Sequence, residues 1–239
     1  MNALITGVSK GLGLKTAETL LSNGWFVYGI SRSQTKEFND LMLKYPNQMK
    51  WIEYNLADTN VKHQIIVNGI GYKTPIHGFV NNAAIAYDDI ITNLDLTSLE
   101  KMYRVNVFTP MILTKYVIRH MLLHNIRGSI IHISSISVHT GYKGLSMYAS
   151  TKGALEAFSK NTAREWGEKG IRSNCVVAGF METTMSATLS ESQKNRIYNR
   201  TSLKKSVDVN SAAETINFLL SDASGSITGQ NIHVDNGTI

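Results

Sequence analysis

The chain has 239 residues, 43% apolar and 18% charged, so a large core is available and a disordered protein is excluded. Lys and Arg total 24 against 18 Asp and Glu, a net charge of +6 that fits a phosphorylated ligand, an acidic partner or nucleic acid. A single cysteine, Cys175, excludes a disulfide framework and a cysteine-based zinc cage, and fits a reducing cytoplasm.

In chain order, short β-prone apolar runs alternate with longer helical patterns. Strands are expected over 2–6, 25–30, 49–54, 76–81, 128–134, 171–177 and 232–234. Helices are expected over 12–23, 34–45, 58–69, 96–123, 148–169 and 209–220. This alternation implies an α/β, Rossmann-type, doubly wound and mostly parallel seven-stranded sheet with helices on both faces. Ile130-Ile131 and Val176-Val177 lack polar alternation, as strands buried on both sides do. With three prolines and no linker or repeat, the reading is a single domain over 1–239. The least regular stretch, 180–206, reads as a substrate loop or lid leaving the sheet. No signal peptide is expected from MNALITG, and no apolar run approaches the ~20 residues of a membrane span, so no membrane partner is expected. Basic residues are scattered, with Lys204-Lys205 the densest cluster, which argues against nucleic acid.

The first strand runs straight into Thr6-Gly7-Val8-Ser9-Lys10-Gly11-Leu12-Gly13 and then a helix. Glycines there permit a tight turn and close backbone approach to a pyrophosphate, and the helix N-terminus supplies free N–H groups. The same residues satisfy the G-x-S-x-G pattern of a hydrolase elbow, but six residues before Gly7 leave no room for the sheet an elbow needs. The second strand leads to Arg32, where a carboxylate would select NAD; an arginine accommodates the extra phosphate of NADP, and Lys10 adds a second cation. The competing reading of both is solvated surface charge.

Tyr148 and Lys152 stand at i and i+4, hence on one helix face. A cation beside the phenol favours phenolate and lowers its pKa toward the working range. Ser135 lies 13 positions before Tyr148 and follows a buried strand, at the carboxyl edge where ligands bind in open α/β sheets. His120 and His124 are also at i and i+4, but no flanking Glu completes a zinc motif and a helix end suits histidines, so no metal is expected. His139, Tyr142, Met147, Met181 and Met185 are candidates for the substrate mouth, with loop packing the competing reading.

Together these motifs resemble the short-chain dehydrogenase/reductase family over essentially the whole chain, and within it the bacterial 3-oxoacyl-[acyl-carrier-protein] reductases. The resemblance implies that Thr6–Gly13 is the cofactor loop, with Gly7, Ser9, Lys10, Gly11, Leu12 and Gly13 contacting it. It implies further cofactor contacts at Asn55 and Leu56, at Asn82 and Ala83 after the fourth strand, and at Gly179, Met181 and Thr183. Asn106, Ser135, Tyr148 and Lys152 match its catalytic tetrad, Tyr148 and Lys152 also meeting the cofactor. Asn106 is then expected to anchor a water linking Lys152 to solvent. Arg127 and Lys169 fall near positions that present a basic patch to an acidic acyl carrier protein, and a homotetramer or homodimer is implied. Two departures stand out. Ala84 replaces a glycine in the turn after Ala83, and Ala178 replaces a proline before Gly179, which is expected to loosen that loop.

The function so implied is NADPH-dependent reduction of a ketone to a secondary alcohol, foremost a 3-oxoacyl thioester. A reductase or dehydrogenase acting on another carbonyl (sugar, polyketide or small alcohol), or a non-catalytic cofactor-binding regulator, are the alternatives.

Overall fold

A computed structural model describes residues 1–58, 60–183 and 190–239. Its seven strands are β1 (Asn2–Thr6), β2 (Phe26–Ser31), β3 (Met49–Glu53), β4 (Gly78–Asn81), β5 (Ser129–Ser135), β6 (Arg172–Ala178) and β7 (Asn231–Val234). They form one sheet in the order β3-β2-β1-β4-β5-β6-β7, and every pairing is parallel. Connections run outward from β1 in one direction and from β4 in the other. The loops after β1 and β4 therefore part at the carboxyl edge and leave the crevice where doubly wound sheets take ligands.

The α-helices are α1 (Gly11–Ser22), α2 (Lys36–Lys44), α3 (Leu96–Tyr103), α4 (Thr109–Leu123), α5 (Ser137–Thr140), α6 (Ser146–Trp166), α7 (Glu191–Tyr198) and α8 (Val209–Leu220). Because strand side chains alternate, the sheet feeds two cores. Ala3, Ile5, Val80, Ile131 and Val176 face the layer that contains Leu20 of α1 and Ile216 of α8. Leu4, Phe79 and Ile130 face the other layer, with Leu113 and Val117 of α4.

Three segments differ from the sequence expectation. The fourth strand starts at Gly78 rather than 76, because His77 is already engaged with Asn2: its ring Nδ1 accepts from the Asn2 amide at 2.9 Å. The helix expected over 58–69 is a wide-turned helix over Lys62–Ile70. The helix expected over 96–123 is a continuous helical path interrupted by a wide turn, Arg104–Phe108, where the Thr109 amide bonds the Arg104 carbonyl five residues back. Pro110 supplies the reason: without an N–H it cannot close the ordinary bond onto the Asn106 carbonyl. Within 180–206 the structure also places α7. Ser190 accepts from the Gln193 amide and donates its own amide back to the Gln193 side chain, closing a capping box.

Candidate active site

The glycine loop is fixed by its neighbour across the crevice. Thr6 Oγ1 accepts from the amides of Asn82 and Ala83, both at 3.0 Å. Asn82 Nδ2 donates to the carbonyls of Thr6 (2.9 Å) and Gly7 (3.2 Å). Gly7 has φ +74°, and a β-carbon there would sit 2.9 Å from Asn82 Nδ2. A β-carbon on Gly13 would run into the Gly7 carbonyl oxygen. The first turn of α1 carries no acidic side chain and no side-chain cap, so its amides face the crevice. A pyrophosphate fits such a cradle, where the absence of Cβ atoms lets the backbone approach it closely. Gly13→Ala is expected to abolish NADPH binding and to lower the melting temperature, checked by fluorescence titration and thermal unfolding.

Both cations sit beside this loop and are exposed. Lys10 precedes α1 in extended conformation, and Arg32 directly follows β2. Thr35, which sequence reasoning missed, ties the two loops together: its hydroxyl donates to the Ser9 carbonyl at 2.6 Å and accepts from the Phe38 amide at the start of α2. Asn55 is exposed in the turn after β3, while Leu56 is buried and its carbonyl accepts from Thr109 at 2.7 Å.

On the far side of the crevice, Ser135 ends β5. Its hydroxyl oxygen accepts from the Ser137 hydroxyl at 3.0 Å and from the Ser137 amide at 3.2 Å. Those two bonds use the oxygen's lone pairs and leave its proton to donate outward. In the sequence Ser137 reads only as a loop hydroxyl, because one serine among several carries no pattern. Tyr148 and Lys152 lie near the start of α6, with Lys152 Nζ 5.6 Å from the Tyr148 ring centre and donating to the Ile133 carbonyl at 2.8 Å.

Electrostatics correct one expectation. Lys152 does not lower the Tyr148 pKa here; burial pushes the phenol above its ordinary value, and the carboxylate of Asp88 adds to the rise. Burial acts oppositely on the ammonium, bringing Lys152 down to about 8. The phenol is thus held protonated through neutral pH, while the amine moves toward the range in which it can release and regain a proton.

Asn106 is 1% exposed in the wide turn ahead of α4. Its side chain bonds the Ile85 backbone at both ends, Oδ1 from the amide at 2.9 Å and Nδ2 to the carbonyl at 2.8 Å, and reaches Thr151 Oγ1 at 3.1 Å. The Asn106 side chain is therefore spent on structure, and its backbone carbonyl lacks the ordinary helical donor because Pro110 has no N–H.

The remaining residues fall as follows. Met181 packs on the sheet core, and Thr183 lies against the glycine loop, 3.6 Å from where a Gly11 β-carbon would be. Gly179 is not loosened by Ala178: its amide donates to the Val234 carbonyl at 2.9 Å, and a β-carbon on it would come 2.6 Å from the Asp235 backbone. Ala84 is not among the described residues with positive φ, so it needs no glycine. Met147 is buried, Tyr142 carries the Arg200 guanidinium over its ring at 5.7 Å, and Met185 lies outside the described residues. His120 stacks on Tyr72, and the His124 ring meets the Tyr72 carbonyl at 2.8 Å; among the described residues no three His, Cys, Asp or Glu gather as a metal site. No helix among the described residues is long and apolar enough to cross a membrane.

Comparison with known proteins shows the family. A family model described as Enoyl-(Acyl carrier protein) reductase matches residues 7–238. The 3-oxoacyl-[acyl-carrier-protein] reductase of Salmonella typhimurium is 31% identical over 98% of this chain and 96% of its own. Carbonyl reductase [NADPH] 2 of Sus scrofa is also 31% identical, over 99% of this chain and 96% of its own. Among solved structures, ElxO with NADP bound is 30% identical with a TM-score of 0.89, covering 99% of this chain and 98% of that one. With the glycine cradle, the parallel sheet and these likenesses together, the chain belongs to the short-chain dehydrogenase/reductase family and is an NADP-dependent oxidoreductase.

Proposed function

We propose that this protein reduces a ketone to a secondary alcohol, and that its preferred substrate is a 3-oxoacyl thioester on an acyl carrier protein. One observation carries the reading: Ser135 holds an unspent hydroxyl proton at the same sheet edge as the protonated Tyr148 phenol. Two donors then meet one carbonyl oxygen. NADPH, when bound, supplies the hydride. Ser135 donates a hydrogen bond to the carbonyl oxygen and orients it. Tyr148 gives that oxygen its proton as negative charge develops. Lys152, near pKa 8, replenishes the phenol and holds the cofactor ribose. The Asn106 carbonyl anchors the water that leads from Lys152 to solvent.

Cofactor choice is assigned to Lys10 and Arg32. Arg32→Asp is expected to lower the NADPH-over-NADH ratio of kcat/KM by about tenfold or more, since it exchanges attraction for repulsion at the phosphate; an unchanged ratio removes Arg32 from that role.

The substrate side is assigned to 136–147 and to a lid over 180–206, in a chain that forms one domain. Val207 N–H donates to the Phe180 carbonyl at 2.8 Å and closes the base of that excursion. Arg127 and Lys169 would form the carrier contact, and Arg127 packs directly over Gly170 beside Lys169. They precede β5 and β6, so a carrier there needs an arm spanning the length of β5, roughly 23 Å, to reach Ser135. Assembly as a homotetramer is assigned to α4, α6 and the edge strand β7, and a groove of about 290 Å³ lined by Met111, Ile118, Phe158 and Trp166 supports the first of these contacts. The enzyme would work in the reducing cytoplasm that suits its buried thiol, Cys175.

The test compares kcat/KM for 3-oxoacyl-carrier protein, an acetoacetyl thioester, an enoyl thioester and free ketones, following NADPH absorbance. Preference for the carrier-bound ketone, reduced by Arg127→Glu with Lys169→Glu, supports the full reading. Equal rates on free ketones would favour the second reading, a general carbonyl reductase, for which the likeness to the Sus scrofa enzyme speaks.

A further inference from the structure

Outside the reacting groups, one buried carboxylate collects contacts from three other elements. Glu156 stands one turn beyond Lys152 on α6, on the same helix face, and is 8% exposed. Its Oε1 accepts from the Ser134 hydroxyl at the end of β5 and, at 3.1 Å, from Nε2 of His139 on α5. Its Oε2 accepts from Asn231 Nδ2 on β7 at 2.7 Å. The His139 ring in turn packs edge-on against His233 of β7, with centres 4.9 Å apart.

Placing a carboxylate here has a cost that donors only offset, and an apolar residue of similar volume would pack without it. What the charge gains is directional restraint. Ser134 immediately precedes Ser135. His139 belongs to the same short helix as Ser137, whose hydroxyl and amide hold Ser135 in place. Tyr148 and Lys152 lie two turns and one turn back along α6. Glu156 thus joins, from beneath, the segment carrying the serine to the helix carrying the tyrosine.

We propose that Glu156 is a positioning residue for the reaction: through Ser134 and His139 it sets where the Ser135 hydroxyl stands relative to the Tyr148 phenol. This rests on the ketone-reduction reading above. Glu156 touches no reacting atom, and its bonds to Ser134 and His139 are the route by which its effect reaches Ser135.

That route gives the experiment. In the full-length protein with NADPH and the fastest ketone found, Glu156→Gln is expected to lower kcat by about 10- to 100-fold, the scale of a small misplacement, with NADPH affinity within about twofold. In a Ser135→Ala background the same substitution is expected to cost nothing further, because its route is already removed. Losses that multiply instead would overturn the proposal, since a merely structural carboxylate acts on both backgrounds alike. His139→Gln, which keeps an N–H donor, is expected to retain more activity than His139→Ala; equal losses count against it. A second readout needs no turnover. The Ile136, His139 and Thr140 amides, bonded to Ala178 and Ile136 carbonyls, are expected to exchange hydrogen about tenfold faster in Glu156→Gln, while β1 and β4 amides are unchanged. If no ketone is reduced, the functional reading fails on its own, and unaltered exchange at these amides overturns the Glu156 link.

Discussion

Tyr148→Phe is expected to lower kcat/KM for ketone reduction by about 10²- to 10⁴-fold while leaving NADPH affinity within about twofold. The substitution removes one oxygen and leaves the ring against Lys152, so binding and fold should survive. The pH dependence gives a second check. Burial, reinforced by Asp88, holds the phenol above its ordinary pKa, so through neutral pH it is the protonated acid that reduction requires. Reduction is then insensitive to this group until pH climbs to the raised pKa, where it falls. Oxidation of the alcohol needs the deprotonated form and is expected to gain about tenfold per pH unit from pH 7 to 9. Stopped assays in both directions measure the two profiles. An oxidation profile flat in wild type, or a slope that persists in Tyr148→Phe, would show that another group carries the proton.

Lys152→Met is expected to do two things that ordinary damage does not combine. Activity falls by at least about 10²-fold, because no amine remains to replenish the phenol. Stability rises, by about 1 kcal/mol or roughly 2–4 °C in melting temperature, because the buried ammonium is replaced by a side chain of similar shape that suits the interior. The sign follows from the pKa. Burial brings Lys152 down to about 8, below the value of an unfolded lysine. Between that pH and about 10.4 the unfolded chain holds a proton that the folded chain has released, so wild-type stability gains with rising pH there. Below pH 8 both states are protonated and the folded one carries the burial penalty in full. Lys152→Met removes both the penalty and the rise, and thermal unfolding at pH 7 and 9.5 separates these outcomes. A variant that melts lower than wild type at pH 7 contradicts the argument.

The sheet was legible because strands buried on both faces write themselves as unbroken apolar runs, and Ile130-Ile131 and Val176-Val177 do so. The glycine loop and the Tyr148–Lys152 pair were legible because each is local, a few residues within one turn. What escaped is mostly non-local. Nothing near Glu156 announces Asn231, 75 positions away, and nothing near Ser9 announces Thr35. Two features did leave local signals that were not used. Ser190 and Gln193 spell a capping box before α7, and Pro110 four residues after Asn106 announces that the Asn106 carbonyl loses its helical donor. The Tyr148 pKa was misjudged because spacing shows a neighbouring cation but not how deeply the phenol is desolvated.

The clamp of Asn82 on Thr6 and Gly7 has a thermodynamic consequence. A loop whose shape depends on the β1–β4 crevice exists only when the middle of the sheet is formed, so NADPH binds the folded chain and not the unfolded one. Free cofactor at a hundred times its Kd then adds about 2.7 kcal/mol to the stability of the fold. For a chain of this size that amounts to roughly 5–11 °C in melting temperature. Any ketone that occupies the crevice beside the cofactor adds its own increment. Unfolding temperature in the presence of cofactor therefore ranks candidate substrates without an assay of turnover, and the chain reports its ligand by how long it stays folded.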